Sequence, residues 1–435
     1  MMKILMSAFS CGPGQGSEPD VGWHWALEAA RRGHDVTVLT QTHYKDQIEQ
    51  EIASGTLPKN LHFDIFMPAT LEALWNAGLR GQWCLNELCQ FVHLAWQFAA
   101  LRHVRRNYRI ADFDLVHHVT YATIRHPTLL GRLGLPMVLG PVGGGGRVPI
   151  RLRKSFDWLA WCTELIRDAH TLALRADPIT YAACRQADVL FVRDEDSRRR
   201  LPRRFRDKTI VQLGVGVEAP DDSAPNPRCP GDPLRLIFAG RLLYLKGLHL
   251  GIRALASARS RGVDATLTVV GDGPARRGIE ELARDLGVDP YLTWCGRIPQ
   301  SDLFSMYRSH DALLFPSLRD SAGLTVLESL CRGLPVIGLA LGGTAGMVNH
   351  TCGRVVEVEG LEEGACVAGL ANAITELATA EGLSVRLSRG AIARAKDYSW
   401  PLVVARVYAE IEKEFSISLR SGPQTAGHCA SSALA

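Results

Sequence analysis

The sequence predicts an α/β protein with two doubly wound domains, each built around a parallel sheet. Short apolar runs alternate with helical patterns along most of the chain, which is typical of strand–helix–strand units. The 435 residues exceed what a single hydrophobic core usually fills. Five prolines between Pro220 and Pro233 interrupt the alternation near the middle of the chain. We therefore expect one domain on each side of this segment, with a ligand cleft between them.

The first domain is predicted to span residues 1–218. It opens with a strand at Lys3–Ala8, a glycine-rich turn, a helix at 21–32 and a second strand at Asp35–Thr40, which together make a βαβ unit. Further apolar runs predict strands at 114–119, 136–139, 188–192 and 209–213. The proline-rich residues 219–233 are then a linker.

The second domain is predicted to span residues 234–397. Apolar runs predict strands at 234–239, 265–270, 312–315 and 336–338, and a helical pattern covers 247–261. The last residues, 416–435, are small and polar, so we expect a disordered tail.

Composition excludes several classes of protein. The formal net charge of +4 is small for this length, so no nucleic-acid partner is expected, although the charge suits an anionic membrane face. The 11 cysteines are scattered without metal-type spacing, which indicates free thiols in a reducing cytoplasm. No apolar run approaches the roughly 18 residues that cross a bilayer, and the amino terminus is typical of a buried strand. We expect a cytoplasmic protein.

Two carboxylates eight positions apart are the strongest functional feature. Asp320 and Glu328 flank a glycine turn at Gly323 and the predicted start of a helix. A helix that begins there would point its first free N–H groups, those of Leu324 and Thr325, and its positive dipole end at an anion. A phosphate flanked by two acceptors of hydroxyl hydrogen bonds suggests a sugar nucleotide. The alternative is an ordinary strand, turn and helix in which both acids are solvated.

A second feature is a pair of cations after the strand at 234–239. Gly240 and Arg241 follow this strand, and Lys246 comes five residues later. Cations at the carboxyl end of a parallel strand face the cleft, where they could hold a diphosphate. Two exposed cations on a loop would be the alternative.

Together these segments resemble the retaining GT-B glycosyltransferases of the family often numbered four, the glycosyl transferases group 1. Residues 317–335, SLRDSAGLTVLESLCRGLP, are similar to the glutamate-x7-glutamate motif of that family, with Asp320 in place of the first glutamate. Residues 240–247 match its GRLxxxKG segment. The resemblance implies two Rossmann-like domains facing a central cleft in a GT-B arrangement, and a last helix at 398–415 that returns to the first domain.

The resemblance also implies roles for the residues of the second domain. Asp320 would contact the donor sugar and Glu328 the nucleotide ribose. Arg241 and Lys246 would neutralise the charge that develops on the leaving nucleoside diphosphate.

Three further positions follow from the same resemblance. The glycine turn that begins at Gly271 would lie near the nucleotide, and Arg297 would point toward the phosphates or the base. In the first domain, Gly16 belongs to a glycine-rich loop that would close on the donor phosphates. A dinucleotide-binding loop is the alternative there, but the second strand ends at Thr40 and Gln41, where that site would want an acid for the ribose.

Two histidines end the strand at 114–119. The resemblance implies an acceptor-side histidine here, at His117 in preference to His118, and Arg125 would meet an acidic or phosphate-bearing acceptor. The alternative for either histidine is packing against a loop.

The Asp194-Glu195-Asp196 triplet has the D-x-D spacing of a metal-binding motif. It follows a predicted strand and precedes Ser197 and three arginines, so its acids suit the amino end of a basic helix. We expect no catalytic metal and no cofactor, with a nucleoside-diphosphate sugar as substrate.

Cations and large aromatics alternate between Arg147 and Trp161, and residues 71–108 are apolar and rich in tryptophan. Such a surface could lie peripherally on the inner membrane face and admit a lipid-linked acceptor. Core packing of ordinary helices is the alternative explanation of the aromatics.

The sequence therefore predicts a retaining hexosyltransferase that uses a nucleoside-diphosphate sugar. Its acceptor would be a hydroxyl of a saccharide or a lipid-linked sugar, in bacterial-type polysaccharide or glycolipid assembly. A GT-B nucleotide-sugar epimerase and a non-catalytic sugar-nucleotide-binding protein are the alternatives.

Overall fold

The structure is a computed structural model that describes residues 1–80, 86–121, 123–124, 128–174, 176–218 and 231–420. Side chains are described within these ranges except at 78–80, 86–90 and 416–420. Arg125, most of the predicted linker (219–230) and most of the predicted tail (421–435) therefore lie outside the described residues.

The first half of the chain forms a seven-stranded parallel sheet in the order β3-β2-β1-β4-β5-β6-β7. The strands are β1 (Lys3–Ala8), β2 (Asp35–Thr40), β3 (Leu61–Ile65), β4 (Leu115–Thr120), β5 (Met137–Val142), β6 (Val189–Val192) and β7 (Thr209–Val211). The helices are α1 (Ser17–Arg31), α2 (Lys45–Ser54), α3 (Ala69–Arg80), α4 (Asn86–Asn107), α5 (Trp158–Ala173), α6 (Pro178–Gln186) and α7 (Glu195–Arg200).

The second half forms a six-stranded parallel sheet in the order β10-β9-β8-β11-β12-β13. The strands are β8 (Leu234–Ala239), β9 (Ala265–Val270), β10 (Leu292–Gly296), β11 (Ala312–Phe315), β12 (Val336–Leu339) and β13 (Gly353–Val356). The helices are α8 (Leu248–Ser260), α9 (Arg276–Asp285), α10 (Gln300–Ser309), α11 (Leu324–Cys331), α12 (Gly343–Met347), α13 (Glu363–Thr379), α14 (Leu383–Lys396) and α15 (Trp400–Arg420).

Both sheets carry helices on their two faces, which is why their strands are nearly continuous apolar runs. In β1, Ile4 and Met6 pack toward the face that α1 and α15 cover. Leu5 and the following Phe9 pack toward the opposite face, against Trp96 of α4. Among the described helices, none is both long and apolar enough to cross a membrane.

Helix α15 follows the second sheet in sequence but packs on the first. Its Tyr408 is fully buried and contacts Trp25 of α1 and His117 of β4. The helix continues to Arg420, five residues beyond the predicted end of the last helix. The first helix-breaking residues of the tail, Gly422 and Pro423, come only after this point.

Helix α1 begins at Ser17, four residues before the predicted start. Glu18 and Asp20 in its first turn suit the positive end of the helix dipole. Pro19 is tolerated there because a first-turn N–H group has no partner within the helix. Gly16 precedes the helix with a φ of 62°, a conformation that favours glycine. The loop before the helix is therefore shorter than the glycine pattern indicated.

Candidate active site

The carboxyl ends of the two sheets face one another across a cleft. A glycine run at 143–146 follows β5 on one side, and residues 319–321 follow β11 on the other. A Cβ atom on Gly143 would lie 3.0 Å from the Ser321 hydroxyl, and one on Gly146 would lie 3.5 Å from Cγ of Arg319. The Gly145 N–H donates to the Ser197 hydroxyl at 3.1 Å, so the run is held from its own domain as well. Side chains in this run would separate the two domains.

Asp320 and Lys246 meet at this edge of the cleft. The lysine ammonium donates to Oδ2 of Asp320 at 2.6 Å, while Oδ1 accepts from the N–H groups of Gly323 (2.9 Å) and Ala322 (3.2 Å). Burial alone would raise the pKa of Asp320, but the ammonium and the two N–H groups outweigh it and hold that pKa below its ordinary value. Asp320 is therefore an ionised carboxylate at neutral pH, on the wall of a cavity of about 220 Å³.

Gly323 sets the start of α11. Its φ of 59° is left-handed, and a Cβ atom here would lie 2.1 Å from Cε of Met347. Only glycine fits this turn without displacing a neighbour. Helix α11 consequently begins at Leu324, as the sequence predicts, and Thr325 follows in its first turn. Leu324 borders a second cavity of the cleft, which Glu328 also lines.

Glu328 lies in the second turn of α11 and lines a cavity of about 410 Å³ between the domains. Its Oε1 accepts a hydrogen bond from Nε2 of Gln300 at 2.9 Å. Burial raises the pKa of Glu328 to about 7, although Gln300 and Arg332 act in the opposite direction. Gly16 reaches the same place from the first domain, because a Cβ atom there would lie 3.5 Å from Nε2 of Gln300.

Backbone groups occupy the edge of the second sheet. Gly271 has a φ of 126°, and a Cβ atom there would lie 1.9 Å from the carbonyl oxygen of Gly240. The Gly271 N–H donates to the carbonyl of Gly296 at 2.7 Å. These glycines join the ends of β8, β9 and β10 and leave no side chain on that edge. Arg241 and Arg297 each follow one of them and are exposed.

His117 does not lie in the cleft, contrary to the preference drawn from the sequence. The residue is fully buried beneath α15, 3.1 Å from the Tyr408 hydroxyl through Nδ1 and 2.9 Å from the carbonyl oxygen of Gly140 through Nε2. Burial lowers the pKa of His117 to about 4, so the ring is neutral. Its Nε2–H therefore donates to Gly140, and Nδ1 accepts from Tyr408. Both nitrogens are used in packing the helix onto the sheet.

His118 points to the opposite face of β4. It is buried beside α4, with Nδ1 3.1 Å from the Ser7 hydroxyl and its ring 6.3 Å from that of His93. Its Nε2 is buried without a hydrogen-bond partner. Burial lowers the pKa of His118 to about 3, so this ring is also neutral. Of the two histidines, His118 alone keeps a ring nitrogen available.

Arg193 is a charged residue of the cleft that the sequence reasoning missed. It follows β6 directly, and a Cβ atom on Gly143 would lie 3.2 Å from its Cδ and 3.0 Å from the Ser321 hydroxyl. Its Nε is buried without a hydrogen-bond partner. Burial lowers the pKa of Arg193, while the nearby carboxylates of Glu18, Asp194 and Asp320 act to raise it. A single arginine at the carboxyl end of an apolar strand was the available signal.

Asp194 caps α7, as the sequence predicts. One carboxylate oxygen accepts from the Ser197 N–H at 2.6 Å, whereas Oδ2 is buried without a hydrogen-bond partner. Burial raises the pKa of Asp194, and the neighbouring Asp196 adds to this. Both aspartates line the same cavity as Lys246 and Asp320. Among the described residues, no group of three or more His, Cys, Asp or Glu is placed to hold a metal ion.

Two parallel-sheet α/β domains that enclose a cleft at their carboxyl edges define a protein of the GT-B fold. Residues 221–393 match the family described as glycosyl transferases group 1.

The chain is also similar to several curated relatives and solved structures. The D-inositol 3-phosphate glycosyltransferase of Kribbella flavida is 32% identical over 215 residues, which span 46% of this chain and only about half (49%) of that protein. The protein of the same name from Saccharomonospora viridis is 27% identical over 86% of this chain and 84% of its own length. The crystal structure of Anabaena HepE in complex with UDP and glucose superposes with a TM-score of 0.55 at 15% identity, covering 95% of this chain and 100% of HepE.

Proposed function

We propose that this protein is a retaining glycosyltransferase that moves a hexose from a nucleoside-diphosphate sugar to a hydroxyl acceptor. The observation that carries the proposal is the Lys246–Asp320 pair at the start of α11, with Glu328 on the same helix. A cation, an ionised carboxylate and the first N–H groups of a helix, which the fold brings together at one edge of the cleft, suit a ligand that is both anionic and rich in hydroxyls.

The donor diphosphate binds where the second sheet offers positive charge and bare backbone. Arg241 and Lys246 lie beyond β8, next to the glycine contact between Gly240 and Gly271. The complex of HepE with UDP and glucose supports a nucleotide sugar as the donor. Arg193 adds a third cation from the first domain, since it lies beside Ser321 at the opposite wall.

Binding of the donor rearranges the charge pair. A phosphate that takes the Lys246 ammonium leaves Oδ2 of Asp320 free to accept hydrogen bonds from the sugar hydroxyls, while Oδ1 stays on the N–H groups of α11. Because aspartate is one methylene shorter than the glutamate of the family motif, its reach selects which sugar hydroxyls it contacts. Glu328 accepts a ribose hydroxyl on the far side of the helix start.

The chemical step is front-face transfer. The glycosidic bond to the diphosphate breaks, the acceptor oxygen bonds to the anomeric carbon from the same side, and the departing phosphate takes the acceptor proton. Arg241, Lys246 and the first N–H groups of α11 stabilise the negative charge that develops on the diphosphate. In the proposed reaction, these groups stabilise the leaving diphosphate, and no metal or cofactor takes part.

The acceptor approaches through the first domain. Asp194 lines the same cavity as Asp320, and its Oδ2 is buried without a partner; a small movement of the side chain would let this oxygen accept a hydrogen bond from an acceptor hydroxyl. The acceptor is a saccharide or a lipid-linked sugar, and the setting is cytoplasmic assembly of a bacterial-type polysaccharide or glycolipid.

Ligand-induced stabilisation gives the first test. UDP, GDP and ADP sugars are screened by thermal shift, because a ligand that binds only the folded state raises its stability. Turnover with the best donor is then compared between wild type and Lys246→Met. We expect Lys246→Met to reduce turnover about 10²–10³-fold, as loss of a preorganised charge does elsewhere.

Lys45→Met is the matched control, because Lys45 is an exposed helix residue paired with Glu49 at 3.7 Å outside the cleft. Equal turnover in Lys246→Met and wild type would refute the site. Release of an epimerised sugar from donor alone would identify an epimerase, and tight donor binding without any product would identify a binding protein. An inverted anomeric product would refute the retaining mechanism.

A further inference from the structure

Helix α5 of the first domain has its polarity reversed relative to an ordinary surface helix. Its inward side carries the charged and polar residues Glu164, Asp168 and Thr171, which are 3%, 6% and 0% exposed. Its outward side carries large apolar residues, among them Trp158 (76% exposed) and Ile166 (71%). A surface helix of a water-soluble domain normally has the opposite arrangement.

The two inward carboxylates, Asp168 and Glu164, are both paired, which fixes the orientation of the helix. Arg147 donates to both carboxylate oxygens of Asp168 at 2.7 and 2.6 Å, and the buried Arg153 donates to the same residue at 2.8 Å. Glu164 binds Arg319 of the second domain. Turning the apolar side inward would take Asp168 away from the fully buried Arg153 and leave that guanidinium without a counter-charge, which is strongly unfavourable.

The outward face of α5 has no acid, lysine or arginine. Its only titratable side chains are Cys162 and His170. The exposed positions follow helical spacing over the whole length of the helix and are Trp158, Leu159, Cys162, Thr163, Leu165, Ile166, Ala169, His170, Leu172 and Ala173.

A strongly basic segment packs on α6, the next helix of the same domain. Residues 198–208 contain seven arginines and lysines and one aspartate. They pack on α6, which follows α5, because the Arg204 guanidinium lies 5.0 Å from the centre of the Tyr181 ring and Lys208 donates to the carbonyl of Ala187. Phe205 shares a core with Leu174 just after α5. Arg199, Arg203 and Arg204 remain exposed.

The residues that precede α5 are basic. Arg151 and Lys154 precede α5 and are exposed, and Ile150 beside them is 63% exposed. The whole first half of the chain has the same bias, since residues 1–218 hold 27 of the 49 lysines and arginines but only 22 of the 45 acids. The second half carries no excess of positive charge.

We infer that the α5 face docks on an anionic lipid bilayer. An uncharged apolar stripe with a tryptophan at its end, preceded by Arg151 and Lys154 in a domain with an excess of cations, matches the acyl boundary and the anionic headgroups of such a surface. A second copy of this chain fits less well, because a twofold contact through α5 would bring the two basic segments of like charge together.

Docking in this way brings the membrane close to the cleft. Glu164 on the inward side of α5 binds Arg319, which directly precedes Asp320 in sequence. The inference adds a partner to the proposed function and favours a lipid-linked acceptor over a free saccharide.

Vesicle flotation tests the inference without donor or acceptor, so its failure is distinct from failure of the proposed glycosyl transfer. The full chain is mixed with vesicles of phosphatidylcholine alone or with phosphatidylglycerol, at low and high salt. We expect flotation with the anionic vesicles that weakens with salt, because charge attraction contributes. Ile166→Asp should reduce the bound fraction at least about tenfold, since it puts a charge into the apolar contact.

Leu402→Asp is the matched control, because Leu402 is 45% exposed in the first turn of α15 and an acid suits that position. A second variant, Arg203→Glu, should reduce binding to anionic vesicles only. Absence of flotation, or equal flotation of Ile166→Asp and wild type, would overturn the inference. So would self-association in solution that Ile166→Asp abolishes, because the face would then be a subunit contact.

Discussion

The two carboxyl groups of the cleft have pKa values that their surroundings shift in opposite directions. Lys246 keeps Asp320 ionised, whereas burial raises the pKa of Glu328 to about 7. Between about pH 4.5 and 7, Glu328 is therefore protonated in the folded protein but ionised in the unfolded chain. The contribution of Glu328 to folding stability is present below that range and is lost as the pH rises through 7.

The titration of Glu328 should also affect donor binding, but here the affinity should increase as the pH rises. An ionised Glu328 is the better acceptor for a ribose hydroxyl, so the Kd of the best nucleoside-diphosphate sugar should be about tenfold weaker at pH 6 than at pH 8. A diesterified diphosphate does not titrate in this range. Isothermal calorimetry at the two pH values measures the difference, and Glu328→Gln should flatten the profile. Equal affinity at both pH values would remove Glu328 from the donor site.

Asp194 combines two roles that a conservative change can separate. Asn retains the helix cap on the Ser197 N–H but removes the charge at the unpartnered Oδ2. We predict that Asp194→Asn leaves donor affinity and melting temperature near wild type and lowers transfer to the acceptor about tenfold or more. Steady-state kinetics with varied acceptor measures this loss.

The chain offers a close control for this variant. Asp177 caps α6 in the same way, with its carboxylate accepting from the Thr180 N–H at 2.7 Å, and it lines none of the described cavities of the cleft. Asp177→Asn should leave transfer unchanged. Similar losses in both variants would mean that capping alone accounts for the effect.

At the scale of elements, the start of α11 decides where the donor can bind. Gly323 and Gly382 both precede helices with left-handed backbone, at φ of 59° and 67°. A Cβ atom at Gly323 meets Met347 at 2.1 Å, whereas the nearest atom at Gly382 is the flexible end of Arg386 at 3.6 Å. The two positions share the left-handed backbone conformation but differ in the room that each leaves for a Cβ atom.

Substituting each glycine by alanine separates these effects. Gly382→Ala should cost about 1–2 kcal/mol for the left-handed conformation and leave donor affinity unchanged. Gly323→Ala should cost a further 1–3 kcal/mol, roughly, because of overpacking, and should weaken donor binding as the helix start shifts. Urea unfolding and calorimetry measure both quantities. Unchanged donor affinity in Gly323→Ala would contradict a phosphate site at this helix end.

The sequence predicted ten of the thirteen described strands, missed β3, β10 and β13, and placed several helix ends poorly, for physical reasons. Buried parallel strands are uniform apolar runs, so β8, β9 and β11 begin and end where the pattern does. The first turn of α1 contains Pro19 and acids, which look like a loop although they suit a helix start. Helix α5 has an apolar stripe of ordinary spacing, and periodicity alone cannot tell whether that stripe faces the core or the solvent.

The candidate site was predicted in part for similar reasons. The spacing of Asp320 and Glu328 and the positions of Arg241 and Lys246 follow from local motifs. The histidine of β4 depends on register, because one step along a strand reverses the face of the sheet. Arg193 meets the second domain only through the packing of two loops that are distant in sequence, and no local pattern carries that information.

At the scale of the whole molecule, two elements of the first domain contact the second domain beside the cleft. Helix α5 reaches the second domain through Glu164 and Arg319, and the loop before it does so through Ser155 and Glu363, whose carboxylate accepts from the Ser155 N–H at 3.1 Å. These contacts lie beside the loop that holds Lys246, since Phe156 packs 5.7 Å from Tyr244. A surface bound by α5 is thereby in mechanical contact with both walls of the cleft.

Helix α15 makes the two halves of this protein inseparable as expression units. A fragment ending before residue 219 would lack α15, which covers Trp25 and His117. The apolar surface beneath this helix would then be exposed to water. A fragment starting at residue 231 would carry the same helix with nothing to cover. A chimera that exchanges domains between relatives therefore needs three segments. The last segment, the 21-residue helix α15, must come from the same parent as the first domain.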